Sequence, residues 1–350
     1  MKPEIRIDDF DYPLPEDRIA KFPLEHRDDS KLLVNIDGNF KEEKFVNIAD
    51  YLPENSFMVF NETKVVPARL FFKKDTGAII EVFCLEPALP EDYEISFAQT
   101  EKCSWKVIVG NVKRWKSGLI SLYSEQIDDP IIKEIDLKAE LKSRNGNTAI
   151  VEFFWSGGYS FSKVMALCGN IPIPPYLNRE TQEIDLTRYQ TSYARLEGSV
   201  AAPTAGLHFT EMELKAIDLK GIKRAHLCLH VGAGTFLPVK SEFISDHMMH
   251  SEPFSVTLQF LKDLAISTEN KNVIAVGTTS TRTLESLYYL GVHCLEGGEP
   301  GFVEQWEPYR GEGYNYSAYE AITALVKYLE NNKKESITSR TSLIIVPSCK

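Results

Sequence analysis

The chain is defined first by what it lacks. Its 350 residues contain six cysteines (Cys84, Cys103, Cys168, Cys228, Cys294, Cys349) but no C-x-x-C pair, which argues against a zinc module or a disulfide framework. No apolar run approaches the length needed to cross a bilayer. The opening residues MKPEIRIDDF are acidic and carry no apolar core, so no signal peptide is expected and a reducing cytoplasm fits. Positive charge is scarce as well. Thirty-nine Lys and Arg against fifty Asp and Glu leave a net charge of −11. That balance disfavours broad, non-specific binding to nucleic acid, though a structured RNA can still dock on a local basic patch. Residues 102–116 supply one such candidate: Lys102, Lys106, Lys113, Arg114 and Lys116, with Trp105 and Trp115 between them as stacking surfaces.

With 43% apolar and 25% charged residues, the chain is long enough for two cores. Its texture changes twice. Between residues 68 and 155, short runs rich in β-branched and aromatic residues (69–72, 78–83, 93–97, 104–109, 118–122 and 148–154) read as a small antiparallel barrel, interrupted by a charged stretch at 128–147. After Gly157 helices alternate with strands: helices at 161–168, 210–220, 258–266, 280–290 and 318–330, strands at 222–231, 272–276 and 342–346. Gly169, Gly221 and Gly291 are read as helix stops. This alternation predicts a mostly parallel sheet covered by helices, to which an N-terminal helix and strand 57–60 also belong. The expected organisation is therefore a discontinuous α/β domain, residues 1–67 and 156–350, with an inserted small β-barrel domain at 68–155.

Chemistry concentrates in one window. SVAAPTAGLHF (199–209), LHVGAGTFLPV (229–239) and DHMMHSE (246–252) lie within or beside a segment holding five of the seven histidines. Histidines next to glycines and small residues suit a site where backbone approaches a ligand, and imidazole gives or takes protons near neutrality. His208, His230 and His250 are the catalytic candidates, with His247 as often a packing residue as a functional one. VGTTSTR (276–282) places a glycine and hydroxyl residues at a helix start, where free N–H groups, Thr278, Thr279, Ser280 and Arg282 can hold an anion. Gly232 and Gly234 offer a close backbone approach. Lys64 and Arg69, in NETKVVPARL (61–70), and Tyr176, in IPIPPY (171–176), are candidate substrate contacts alongside Lys113 and Arg114.

These motifs, with FDYPLPE (10–16), PLEHRD (23–28), VFNETKVVPARL (59–70) and YQTSY (189–193), resemble in sequence and order those of the S-adenosylmethionine:tRNA ribosyltransferase-isomerases of queuosine biosynthesis. The resemblance runs from the start of the chain to about Ser286. It implies an α/β domain with an inserted barrel and a cytoplasmic transferase, here expected as a monomer without metal or membrane contact. S-adenosylmethionine would be the co-substrate. Its ribosyl part would move onto 7-aminomethyl-7-deazaguanine at the wobble position of a tRNA with a GUN-type anticodon, giving epoxyqueuosine and releasing adenine and methionine. The family pattern continues with TNFHxPxSTL beyond the point where this chain reads VPSCK. From that departure reduced turnover and an exposed sheet edge are expected. Two alternatives stay open: a non-catalytic tRNA-binding remnant, and a metal enzyme using His226, His230, His247 and His250.

Overall fold

A computed structural model of the chain describes residues 3–123, 129–146, 148–232, 234, 239, 241–270, 272–310 and 315–347. Two structures dominate it: a closed barrel and a six-stranded sheet.

The barrel runs in the order Thr148–Phe154, Lys102–Val109, Ile79–Leu89, Arg69–Lys73, Leu119–Leu122 and Lys138–Asn145, then closes on its first strand. Every neighbouring pair is antiparallel. Strict alternation sends Leu70, Phe72, Ile80, Val82, Val107, Val151 and Phe153 inward, and closure leaves no unpaired edge. Three local expectations fail here. The segment read as a strand at 93–97 is a helix, Tyr93–Ala98, opened by Asp92, whose carboxylate accepts the Ile95 N–H at 3.0 Å. Its aromatic residues Tyr93 and Phe97 stand four apart, a helical spacing. The charged stretch 128–147 contains a helix, Pro130–Ile135, and the barrel's closing strand Lys138–Asn145, whose charges face water while Ala139 faces the core. Finally, Trp105 and Trp115 are 1% and 0% exposed, so they fill the barrel and present no stacking surface.

The sheet runs in the order Val273–Ala275, Phe57–Asn61, Lys223–Leu229, Glu252–Thr257, Ser336–Thr341 and Phe302–Val303. Three of its five pairings are parallel and two antiparallel. Phe57–Asn61 is buried along its whole length because both faces are covered. Phe57 and Val59 face helices Leu258–Asn270, Gly277–Leu295 and Ala318–Asn331, whereas Met58 and Phe60 face Glu211–Leu219. Thr210 opens that last helix with a capping box to Glu213, as its sequence predicts.

Gly291 does not stop its helix, which continues to Leu295. It is instead a contact point: a methyl group there would meet the Ala321 carbonyl oxygen at 2.1 Å, so glycine lets two helices cross closely. Nor do residues 342–346 form a strand. The strand is Ser336–Thr341, after which the chain leaves the ladder, and its polar groups are met by Arg282, Gln305 and Tyr309. The N-terminal region holds short 3-10 turns, a hairpin, Lys31–Ile36 with Asn39–Lys44, and a one-turn helix, Ile48–Tyr51, whose Ile48 and Ala49 pack on the same core as Met58 and Phe60 of the sheet. No helix among the described residues is long and apolar enough to cross a membrane.

Candidate active site

The parallel strands Phe57–Asn61, Lys223–Leu229 and Val273–Ala275 end at the same edge of the sheet, the edge where ligands collect in open α/β folds. Beyond it lies a cleft of about 860 Å³. All four sequence motifs reach it: Pro203, Thr204 and Ala205 from the first, Gly234 from the second, His247 and His250 from the third, and Thr278, Thr279 and Arg282 from the helix start. Residues 233, 235–238 and 240, in and beside the second motif, lie outside the described residues.

Glu252 joins these motifs. Its carboxylate is 4% exposed and accepts three bonds: from the Gly232 N–H at 3.0 Å, from His250 Nε2 at 2.9 Å and from Arg282 Nη1 at 2.5 Å. Burial alone would raise its pKa, but the His250 bond and the Arg282 charge hold it below the usual carboxylate value. Arg282 is also spoken for. It donates to the carbonyls of Leu343 at 3.0 Å, His250 at 3.1 Å and Thr341 at 3.1 Å. Its guanidinium thus acts as a clamp on Glu252 and on the backbone behind the cleft. With Nε2–H given to Glu252, Nδ1 of His250 is the basic nitrogen. It lies against Gly234, where a methyl group would stand only 2.3 Å away. Glycine at 234 leaves that nitrogen uncovered.

The helix Gly277–Leu295 points its first turn at the cleft. Its N-cap is Val276, which has no side chain to cap with, so neither Thr279 nor Ser280 serves as the cap. The Thr279 and Ser280 hydroxyls are buried without a partner. Gly277, at φ +82°, lets the helix begin against Ala205 of the first motif, 3.1 Å from where its own Cβ would be. A helix start with unmet N–H groups and idle hydroxyls suits an anionic ligand group.

His230 and His208 are not among the described residues lining the cleft. His230 stacks on Tyr93 from the barrel, with ring centroids 4.3 Å apart and planes 9° off parallel, and its Nε2 meets Cys228 Sγ at 3.3 Å. Burial lowers its pKa to about 4, so it is neutral. His208 bonds Ser30 Oγ at 2.9 Å and packs on Phe45; burial lowers its pKa also. The four histidines of the metal alternative are divided. His226 stacks on Phe60 and faces Glu62 at 3.7 Å, while His247 and His250 border the cleft. Among the described residues no group of three or more His, Cys, Asp or Glu is placed to hold a metal ion.

A model of the queuosine biosynthesis proteins matches residues 7–313. The chain belongs to the queuosine biosynthesis protein family. Relatives agree over most of their length. The S-adenosylmethionine:tRNA ribosyltransferase-isomerase of Halothermothrix orenii is 42% identical over 286 residues, covering 81% of this chain and 77% of its own. The enzyme of the same name from Sulfurihydrogenibium is 39% identical, covering 81% and 78%. That of Syntrophomonas wolfei is 40% identical over 321 residues, covering 91% and 84%.

Several motifs by which this queuosine-family chain is recognised serve the backbone around the cleft rather than a ligand. Asn61 bonds both the N–H and the carbonyl of Leu229 at 3.0 Å, fixing the strand that ends at His230. Ser199 Oγ accepts the Val231 N–H at 2.9 Å. Arg27 of PLEHRD gathers the carbonyls of Gln190, Leu207 and Thr187 at 2.7–2.9 Å. No local pattern marks Asn61, Ser199 or Arg27 for these roles, because their backbone partners lie 32 to 180 residues away. Lys64 pairs with Glu197 at 3.1 Å and Arg69 with Glu81 at 2.7 Å. Tyr176 stands on the cleft rim, 61% exposed. Lys102 and Lys106 neighbour Glu152 and Glu86. Lys113, Arg114 and Lys116 lie elsewhere on the barrel, exposed, where Lys74 reaches the Arg114 carbonyl at 2.9 Å and Arg144 reaches that of Trp115.

Proposed function

We propose that the chain is an S-adenosylmethionine:tRNA ribosyltransferase-isomerase that carries the ribosyl part of S-adenosylmethionine onto 7-aminomethyl-7-deazaguanine at the wobble position of a GUN-type anticodon. The reading rests above all on the convergence of four motifs on one cleft, with a histidine whose basic nitrogen is open and whose other nitrogen is held by a buried carboxylate.

In this reading the methionine carboxylate sits on the N–H groups of the helix start at Thr278, Thr279 and Ser280, and the backbone at Gly232 and Gly234 borders the nucleoside. A sulfonium acidifies the neighbouring C–H, and Nδ1 of His250 takes that proton. Glu252 offsets the charge that develops on the ring, and Arg282 keeps Glu252 ionised and in place. Adenine needs a proton to leave. His247, the second imidazole in the cleft, is its donor. Methionine leaves as a neutral thioether and needs none. His230 and His208 shape the loops from behind. On the barrel, Lys113 and Arg114 meet RNA phosphates together with Lys74, Lys116 and Arg144, and Tyr176 stacks on a base. Lys64 and Arg69 are held in ion pairs with Glu197 and Glu81.

The test is release of labelled adenine from S-adenosylmethionine, with and without tRNA bearing the aminomethyl-deazaguanine. Release that needs this tRNA supports the reading. Release indifferent to tRNA, or none with it, overturns it.

A further inference from the structure

The segment between Phe302 and Tyr309 lies in a stretch where the sequence shows no motif, yet it carries two walls of the cleft. Gln305 Nε2 donates to the His247 carbonyl at 2.6 Å, and Gln305 Oε1 accepts the Met249 N–H at 3.1 Å. One primary amide thus brackets the loop between the two cleft histidines as a neighbouring strand would, donor to acceptor and acceptor to donor. The backbone of the same residue holds the opposite wall, its carbonyl accepting the Ile344 N–H at 3.2 Å. His247, Met249, His250 and Ile344 all line the cleft. Gln305 lies 56 and 58 residues from its two partners. It is itself fixed from behind. Two residues on, Glu307 is 3% exposed, pairs with His293 at 2.5 Å and accepts the Glu304 N–H at 3.0 Å. Two residues further, the Tyr309 hydroxyl accepts the Val346 N–H at 2.9 Å.

We propose that Gln305 is a positioning residue that sets where His247 and His250 stand in the cleft. The inference rests on the function proposed above for its catalytic consequence, but not for its structural one. Among the described residues its side-chain hydrogen bonds go to the backbone of the loop, so its loss leaves the side chains of His247 and His250 chemically intact and displaces the frame that carries them. Displacements of about 1 Å at reacting groups cost on the order of a hundredfold in rate.

The full chain carries the test, as Gln305→Ala and Gln305→Glu. In Gln305→Ala, kcat for tRNA-dependent adenine release should fall about ten- to a hundredfold, with KM for tRNA changed less than about threefold, since no tRNA contact is touched. In Gln305→Glu the carboxylate still accepts from Met249 but has no proton for His247. Protonated, it carries both functions of the amide. Its kcat relative to the unaltered protein should therefore rise as pH is lowered from about 6 towards about 4.5, the ordinary glutamate range, a recovery that Gln305→Ala cannot show. Hydrogen exchange at the Met249 amide, read without any turnover, should quicken in Gln305→Ala and stay slow in Gln305→Glu. A Gln305→Ala protein with unchanged kcat, or with unchanged Met249 exchange, would overturn the proposal. Should the unaltered protein release no adenine, the proposed activity falls while the exchange measurement still decides whether Gln305 restrains the loop.

Discussion

The barrel and the cleft handle charge in opposite ways. In the barrel, charged side chains stand outside as exposed pairs such as Lys142 with Glu140, and the interior is apolar, filled by Trp105, Trp115, Phe72 and Phe153. At the cleft, the charges go inside. Glu252 and Arg282 are 4% and 10% exposed at their side chains, meet at 2.5 Å and organise backbone from three separate segments, at Gly232, His250 and Thr341–Leu343. The barrel's ion pairs are compatible with almost any small shift of the surface. The buried pair tolerates one arrangement, because a charge in low dielectric must keep its partner. Such a pair is a poor source of net stability but a strong source of fixed geometry, which a proton-transfer site needs.

The contrast can be broken most severely at Glu252. Glu252→Ala leaves Arg282 buried without its counter-charge and should cost about 3–5 kcal/mol in urea unfolding, along with adenine release. A loss below about 1 kcal/mol would mean that the pair is no more constrained than a surface one.

Next in size is acid sensitivity. His230 is held neutral with a folded pKa near 4, below its unfolded value of about 6.5. A depressed histidine contributes stability that is fully present above about pH 6.5 and is lost as pH falls towards 4. The 2.5-unit gap corresponds to about 3 kcal/mol. His226, also near 4, acts in the same direction. No histidine lies between residues 68 and 155, so the barrel has no such term. His230→Gln should close its stability gap to the unaltered protein as pH drops from about 7 to about 4.5, followed by urea midpoints. A gap that widens instead would show that His230 is charged in the fold.

Two glycines, two residues apart in the chain, sharpen the picture of the cleft itself. A methyl group at Gly232 would have its nearest neighbour at 3.7 Å, whereas at Gly234 it would meet His250 Nδ1 at 2.3 Å. Gly234→Ala should lower kcat on the order of a hundredfold by displacing the ring. Gly232→Ala should change it by less than about threefold. Equal effects would separate His250 from the reaction. Smallest of all, Lys142→Ala on the barrel should change unfolding free energy by less than about 1 kcal/mol, because the lysine itself stays exposed to water.

What the sequence made legible follows the same division. The barrel strands announced themselves through period-two alternation except where the signal was mixed: Tyr93 and Phe97 are spaced for a helix, and Lys138–Asn145 hides a strand under exposed charge. The capping box at Thr210 and the helix Phe161–Cys168 are local events and were read correctly. Gly291 misled because a glycine in a helical run reads as a stop, while its reason lies in another helix, at Ala321. The cleft was legible as motifs but not as a network. Residue types marked His250, Gly234 and Thr279, yet nothing in the local pattern said that Arg282 turns inward to Glu252, or that Gln305 brackets the histidine loop. Those pairings span 30 and more than 50 residues and exist only after folding. His230 shows the converse. Its place at a strand end beside glycines suggested chemistry, and the fold stacks it against Tyr93 of the barrel.

The central claim is that the proton-transferring imidazole is the one tied to Glu252 and not the one stacked against the barrel. His250→Gln and His230→Gln, assayed side by side for the rate of tRNA-dependent adenine release in folded protein, test it most directly. The account requires His250→Gln to lose about a hundred- to ten-thousandfold while His230→Gln stays within about tenfold of the unaltered chain. The reverse order, with His230→Gln inactive and His250→Gln nearly normal, would contradict it.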